Sequence, residues 1–140
     1  MRMISTKVHA ISDYTLALVL FLSPRLYYLM DLAEAAGASV WMVPSLVGLV
    51  QFCVSFVTRY EGGVFGRIPM PVHLNIDLVL GIFLAASPWL FGFNEIIYKP
   101  HLFLGLVLIL LALLTKKIPS GRPGFRERMP FYREKVKYRE

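Results

Sequence analysis

Four stretches of this chain are apolar over nearly the length a helix needs to cross a bilayer, and nothing else in the sequence constrains the fold as much. Crossing about 30 Å of hydrocarbon takes roughly 20 predominantly apolar residues. The stretches run over about 8–30, 40–58, 72–93 and 96–115, the last with Lys99 and His101 near its start. Hydrophobic residues make up 56% of the 140 and charged ones only 17%, against about 25% charged in a soluble domain. That balance excludes a disordered chain and holds more apolar surface than a soluble core of this size can hide. The expected class is an integral membrane protein.

Charge gives the expected orientation. Residues 1–115 carry six Lys/Arg and six Asp/Glu, while 116–140 carry nine against three, which accounts for the whole net charge of +6. Four spans put both termini on one side, together with Arg2, Lys7, Arg59, Arg67 and the basic tail; Arg25 and Lys99 fall on the other. The excess of Lys and Arg belongs in the cytoplasm. Tyr27, Tyr28, Trp41, Trp89 and Tyr98 fall at the outer interface depth, where aromatic rings settle. Connections carry turn formers, Gly37-Ala38-Ser39, Glu61-Gly62-Gly63, and Gly92 with Asn94, and Pro69 and Pro71 suit the start of a third helix. Arg2 and Lys7 before an apolar run, with Ala36-Gly37-Ala38 beyond it, resemble a secretory signal. Asp13 interrupts that run, and a twin of the segment recurs later, so it is expected to be part of the fold. The one cysteine, Cys53, is expected to pack as a small apolar side chain.

The twin is part of an internal repeat. Val8-His9, Asp13, Leu16, Leu20, Ser23-Pro24 and Leu26 recur 64 residues later as Val72-His73, Asp77, Leu80, Leu84, Ser87-Pro88 and Leu90. Gly48-Leu49-Val50 and Thr58 recur 57 residues later as Gly105-Leu106-Val107 and Thr115. Each copy holds two spans, so both insert in the same sense. The expected fold is all-α: four transmembrane helices as two parallel-repeat helical hairpins about a pseudo-twofold axis along the membrane normal. The domain is 1–115, with repeat one about 5–60 and repeat two about 69–115, followed by a basic cytoplasmic tail, 116–140. The run Ser87-Pro88-Trp89-Leu90-Phe91-Gly92-Phe93, preceded by His73 and Asp77, resembles the SPW-repeat family of small integral membrane proteins. That resemblance covers about residues 5–115 and implies the motif's place in the first helix of each hairpin. The first copy departs from it, with Arg25 where the tryptophan stands in the second. The resemblance implies architecture and no activity.

Residues four apart share a helix face, so His9 and Asp13 point the same way, as do His73 and Asp77. Leu16, Leu20 and Ser23 lie within about 40° of His9 around the helix. An intramembrane carboxylate is costly, about 2.5–3.5 kcal/mol at mid-bilayer, and belongs inside the bundle. His9, Asp13, His73 and Asp77 are therefore the candidates for a ligand or proton cluster, and for a metal site, since imidazole with carboxylate suits zinc, iron or manganese. The competing reading is structural: each His–Asp pair neutralises itself and ties its helix to a neighbour. Ser23-Pro24 and Ser87-Pro88 read as helix kinks, with Trp89 anchoring the interface. Gly81 and Ala85 allow close helix approach. Tyr14 is expected to hydrogen-bond within the bundle, Asn75 to meet a neighbouring helix, and His101 to cap or lie on the surface at the outer end.

No phosphate loop, nucleophile elbow or zinc-protease motif is present, so no motif requires a cofactor or assigns catalytic residues. The basic tail, with Phe125, Met129, Phe131, Tyr132, Val136 and Tyr138 among its charges, is expected on anionic lipid headgroups or free in solvent. No nucleic-acid partner is expected. The location expected is a bacterial cytoplasmic membrane. The function expected is a structural or interaction module, pairing with itself or with a membrane protein. The alternatives are a proton or small-ligand transporter using the His/Asp cluster, and a metal-dependent membrane enzyme.

Overall fold

The computed structural model describes residues 3–26 and 35–119. Among these the chain is all-helical, with four long helices and no strands: α1 (Thr6–Leu26), α2 (Ser39–Val57), α3 (Met70–Leu90) and α4 (Lys99–Leu114). Tyr27, Tyr28 and the tail beyond Pro119 lie outside the described residues.

Local chemistry sets the helix ends. The Ser5 hydroxyl accepts the Val8 N–H at 3.3 Å, capping the first turn of α1. Pro69 and Pro71 open α3, where their missing N–H groups cost nothing. At the far end of α3 the Phe93 N–H bonds back to the Pro88 carbonyl at 2.9 Å, with Gly92 at φ 71°, the left-handed closure that favours glycine. The turn continues as Ile96 and Ile97 bond to Phe93 O. These two residues, expected in the fourth apolar span, thereby lie outside α4, which has 16 residues. Of the four helices, α2 and α3 are long and apolar enough to cross a membrane. α1 has the length, 21 residues, but Thr6, Lys7, His9, Ser12 and Asp13 crowd its first turns.

α1 packs chiefly on α2 and α3 on α4, with α2 against α3 between the two hairpins. Gly48 and Gly105 permit the two close approaches. A Cβ on Gly48 would sit 2.7 Å from the Ala17 carbonyl, and one on Gly105 would sit 2.6 Å from the Gly81 carbonyl and 2.7 Å from Ala85 Cβ. The expected small-residue contact of Gly81 and Ala85 is thus made against α4. Leu20, Val43, Val47, Leu84, Leu104 and Leu108 form the central core. Elsewhere the distribution is inverted relative to a soluble protein. His9, Asp13, Gln51, Ser55, His73 and Asp77 are buried, while Leu18, Phe52, Val79, Phe103 and Leu110 are exposed. Cys53, expected in packing, is exposed among those outward apolar groups, and Asn75, expected against a helix, is exposed too.

Each helix-interior proline strands the carbonyl four residues earlier, and each stranded carbonyl has found a donor. Pro24 frees Leu20 O, and the Ser23 hydroxyl donates to it at 2.7 Å. Pro88 frees Leu84 O, and Ser87 donates to it at 2.7 Å. Pro44, inside α2, frees Val40 O, which His101 Nε2 reaches at 3.0 Å from α4. His101 is therefore buried in the interior, where it had been expected to cap or lie on the surface at the outer end. The serine of each Ser-Pro pair lets the helix run unbroken through its proline. An unpaired buried carbonyl would otherwise cost about 1–3 kcal/mol.

The hairpins interlock crosswise at the end where α1 and α3 begin. Ile68 N–H bonds to Val57 O at 3.0 Å and Arg59 N–H to Ile68 O at 2.8 Å. The same pattern, displaced by the repeat offsets, joins Ile4 N–H to Leu114 O at 3.1 Å and Lys116 N–H to Ile4 O at 3.0 Å. The end of each even helix is thus stitched to the lead-in of the other hairpin's first helix. Residues 58–69 fold back under the bundle and bury Tyr60 against Ala10, Met70 and Leu74. A Cβ on Gly63 would collide with the Thr58 carbonyl, so only glycine fits there.

Candidate functional site

The site builds upward from four side chains one turn apart on two helices. α1 supplies His9 and Asp13, and α3 supplies His73 and Asp77. All four are buried at the interlocked end of the bundle. The two imidazoles meet with Nε2 atoms 3.2 Å apart. His9 Nε2 lies 3.1 Å from Asp77 Oδ2 and 3.3 Å from Asp13 Oδ2. His73 Nε2 lies 3.0 Å from each of the two Oδ2 atoms. One donor atom from each residue falls in a cluster no more than 4.8 Å across.

Two threonines orient the rings. The Thr58 hydroxyl donates to Val54 O at 2.6 Å and contacts His73 Nδ1 at 2.8 Å. Thr115 donates to Leu111 O at 2.6 Å and contacts His9 Nδ1 at 2.9 Å. A hydroxyl has one proton to give, and each threonine has given it to its own helix. Each can therefore only accept from the imidazole, so Nδ1 carries the hydrogen. In a neutral ring that leaves a lone pair on Nε2, pointing into the cluster. Both threonines sit at the helix C-caps with extended backbone, φ near −80°, which turns their hydroxyls back toward the rings.

The two carboxylates are held unequally. Asp13 Oδ1 accepts from Gln51 Nε2 at 3.1 Å. Asp13 Oδ2 accepts from the Ser55 hydroxyl at 3.2 Å and the Tyr60 hydroxyl at 3.2 Å. Burial, with the Asp13 charge beside it, raises the Tyr60 phenol above its ordinary value of 10.0, so it remains a donor. Asp77 receives nothing comparable: its Oδ1 is buried without a hydrogen-bond partner. The repeat explains the difference. The positions 57 residues after Gln51 and Ser55 are Leu108 and Ala112, which have no polar hydrogen to offer.

The four candidates named from the sequence are brought together here. The expected pairing within each helix, His9 with Asp13 and His73 with Asp77, is present, but each histidine lies equally near the other helix's carboxylate. Ser23, Pro24, Ser87, Pro88 and Trp89 lie at the opposite ends of α1 and α3 and take no part. Trp89 is exposed and contacts the Tyr98 ring, centroids 5.7 Å apart. Tyr14 donates to the Gly62 carbonyl at 2.8 Å, pinning the loop beneath the site. Sequence reasoning missed Gln51, Ser55 and Tyr60, and it took Thr58 and Thr115 only as repeat markers. Gln51 carried a signal: it is the one amide in the second apolar span.

The fold and the repeated His–Asp stripe define an all-helical protein with an apolar exterior and a polar centre at one end. The chain matches the SPW repeat domain over residues 7–115 and belongs to that family. No curated protein and no solved structure matches it.

Proposed function

We propose that this chain is an integral membrane protein whose two hairpins are clamped together by a buried divalent first-row metal ion. The observation that carries the reading is the convergence of four acceptors: two Nε2 lone pairs fixed by Thr58 and Thr115, and two carboxylate oxygens. Such a group repels itself unless something positive lies among its members. Two carboxylates carry two negative charges, and one divalent ion neutralises them. The N2O2 donor set suits zinc, iron(II) or manganese(II). The five nitrogen–nitrogen and nitrogen–oxygen separations given above are 3.0–3.3 Å, and one donor atom from each of the four residues lies within 4.8 Å of the others, close enough for one ion with bonds of about 2.0–2.2 Å to be shared among them.

The role that follows is structural. The ligands come from both hairpins, and the orienting threonines are crossed: Thr58 of the first serves His73 of the second, and Thr115 serves His9. The centre is thus incomplete in either hairpin alone. This favours a metal-stapled membrane module over a transporter, whose polar groups would have to continue across the bundle. Beyond the centre, Leu20, Val43, Val47, Leu84, Leu104 and Leu108 form a buried apolar cluster.

The membrane arrangement belongs to the same proposal. Four spans lie as two parallel hairpins about a pseudo-twofold axis, both termini and the metal centre toward the cytoplasm. The inverted burial pattern supports it, as do the bonds that recur at offsets of 64 and 57. The tail beyond Pro119 then meets the inner leaflet with its seven basic residues.

The test is a titration of the full chain in detergent with zinc, before and after removal of bound metal by a chelator. One ion per chain and a melting temperature that falls on chelation and recovers on zinc addition are expected. A His9→Ala/His73→Ala variant should bind none and should not respond to chelator. A wild-type protein indifferent to zinc and chelator would contradict the reading, leaving protons to hold the carboxylates and imidazoles together.

A further inference from the structure

Each repeat offers the ion the same two residue types, a histidine and an aspartate, but not the same surroundings, and the difference falls on one oxygen atom. Asp13 is held at both oxygens: Oδ1 by Gln51, and Oδ2 by Ser55 and Tyr60. A carboxylate so bound offers a metal a single, fixed oxygen. Asp77 turns Oδ2 to the two imidazoles and keeps Oδ1 buried with no partner at all. A buried carboxylate oxygen is rarely left unmet. Neither Leu108 nor Ala112, at the repeat positions of Gln51 and Ser55, can meet it.

We propose that Asp77 chelates the ion through both carboxylate oxygens while Asp13 gives one, so that the centre has five donors, two nitrogens and three oxygens. This rests on the metal reading above and goes further, since it assigns coordination number and makes the two aspartates inequivalent. The unmet Oδ1 then has the ion itself as its partner. Repeat two lacks the polar pair of repeat one because a hydrogen bond to Asp77 Oδ1 would compete with that bond. An oxygen-rich five-donor site also leans toward ions that accept more than four ligands, manganese(II) and iron(II) as well as zinc.

Cobalt(II) is the probe, because its visible d–d absorption is intense in four-coordinate sites and weak in five-coordinate ones. The full chain in detergent, loaded with cobalt, should show the weak five-coordinate band. Transplanting the polar pair of repeat one, Leu108→Gln with Ala112→Ser, gives Asp77 the donors that Asp13 has. The band should then rise severalfold. Because that core change can disturb folding, two near-isosteric variants are compared alongside it. Asp77→Asn should bind cobalt more weakly and give the intense four-coordinate band, whereas Asp13→Asn should keep the five-coordinate form. An intense band in the wild-type protein, or identical spectra for the two asparagine variants, would overturn the assignment of Asp77 while leaving the metal centre standing. Absence of any cobalt binding would overturn the metal reading and this assignment together.

Discussion

At the scale of single residues, the site depends on protons placed by groups that do not themselves belong to the cluster. Thr58 and Thr115 give their only proton to their own helices and so force each histidine to carry its hydrogen on Nδ1. Removing such a partner from a metal-binding histidine typically costs 10–100-fold in affinity. Thr58→Val and Thr115→Val are each expected to lower zinc affinity by about that factor, measured by competition with a chelating dye, with the helical circular dichroism unchanged. Unchanged affinity in both would mean that the ring orientation is set elsewhere. The histidines and aspartates were legible in the sequence because each pair lies four apart and recurs after 64 residues. Gln51 and Ser55 were not, because the repeat does not preserve them: Leu108 and Ala112 stand at their equivalents, and only polarity inside an apolar span marked them. Tyr60 was hidden for another reason. It lies in a loop, and no periodicity says that a loop folds back to place a phenol on Asp13.

At the scale of the helices, the prolines carry the argument. The Ser-Pro pairs read from the sequence as kinks; in the structure each serine feeds the carbonyl its proline has stranded. Ser87→Ala should therefore destabilise the protein by about 1–3 kcal/mol, the cost of an unpaired buried carbonyl. Pro88→Ala restores a backbone N–H to Leu84 O, so Ser87→Ala made on that background should cost much less. Thermal melts of the two single variants and the double variant measure the coupling, and equal costs on both backgrounds would contradict the pairing. His101 shows where sequence reading ran short. Its position at the outer start of the fourth span pointed to a capping or surface place, whereas Pro44, 57 residues earlier, held the information that Val40 O needed a donor. The extents of α2, α3 and α4 were legible to within three residues, and the turn at Phe93 leaves Ile96 and Ile97 outside α4. That turn depends on Gly92 adopting a left-handed conformation, which composition alone did not require.

At the scale of the whole molecule, the crossed backbone stitches and the crossed threonines make the two hairpins one unit. The repeat itself was legible, since identical residues recur at fixed offsets. The crossing was not, because two parallel hairpins can lie side by side without exchanging their ends. If four spans are present with both ends on one side, cysteines placed at Lys7, Glu61 and Lys117 on a Cys53→Ser background should all be labelled from the cytoplasmic face. One placed at Glu95 should be labelled only from the other. Labelling of Glu61 and Glu95 positions from the same side would contradict the arrangement and with it the placement of the centre at the inner leaflet.

The central claim is that an ion sits among His9, Asp13, His73 and Asp77, and X-ray absorption at the zinc edge of the zinc-loaded protein tests it most directly. The expected spectrum has a first shell of light donors at about 2.0–2.2 Å with the outer-shell scattering of two imidazoles, lost in the His9→Ala/His73→Ala variant. A shell containing sulfur, a shell with no imidazole scattering, or a spectrum unaltered by the double substitution would contradict it.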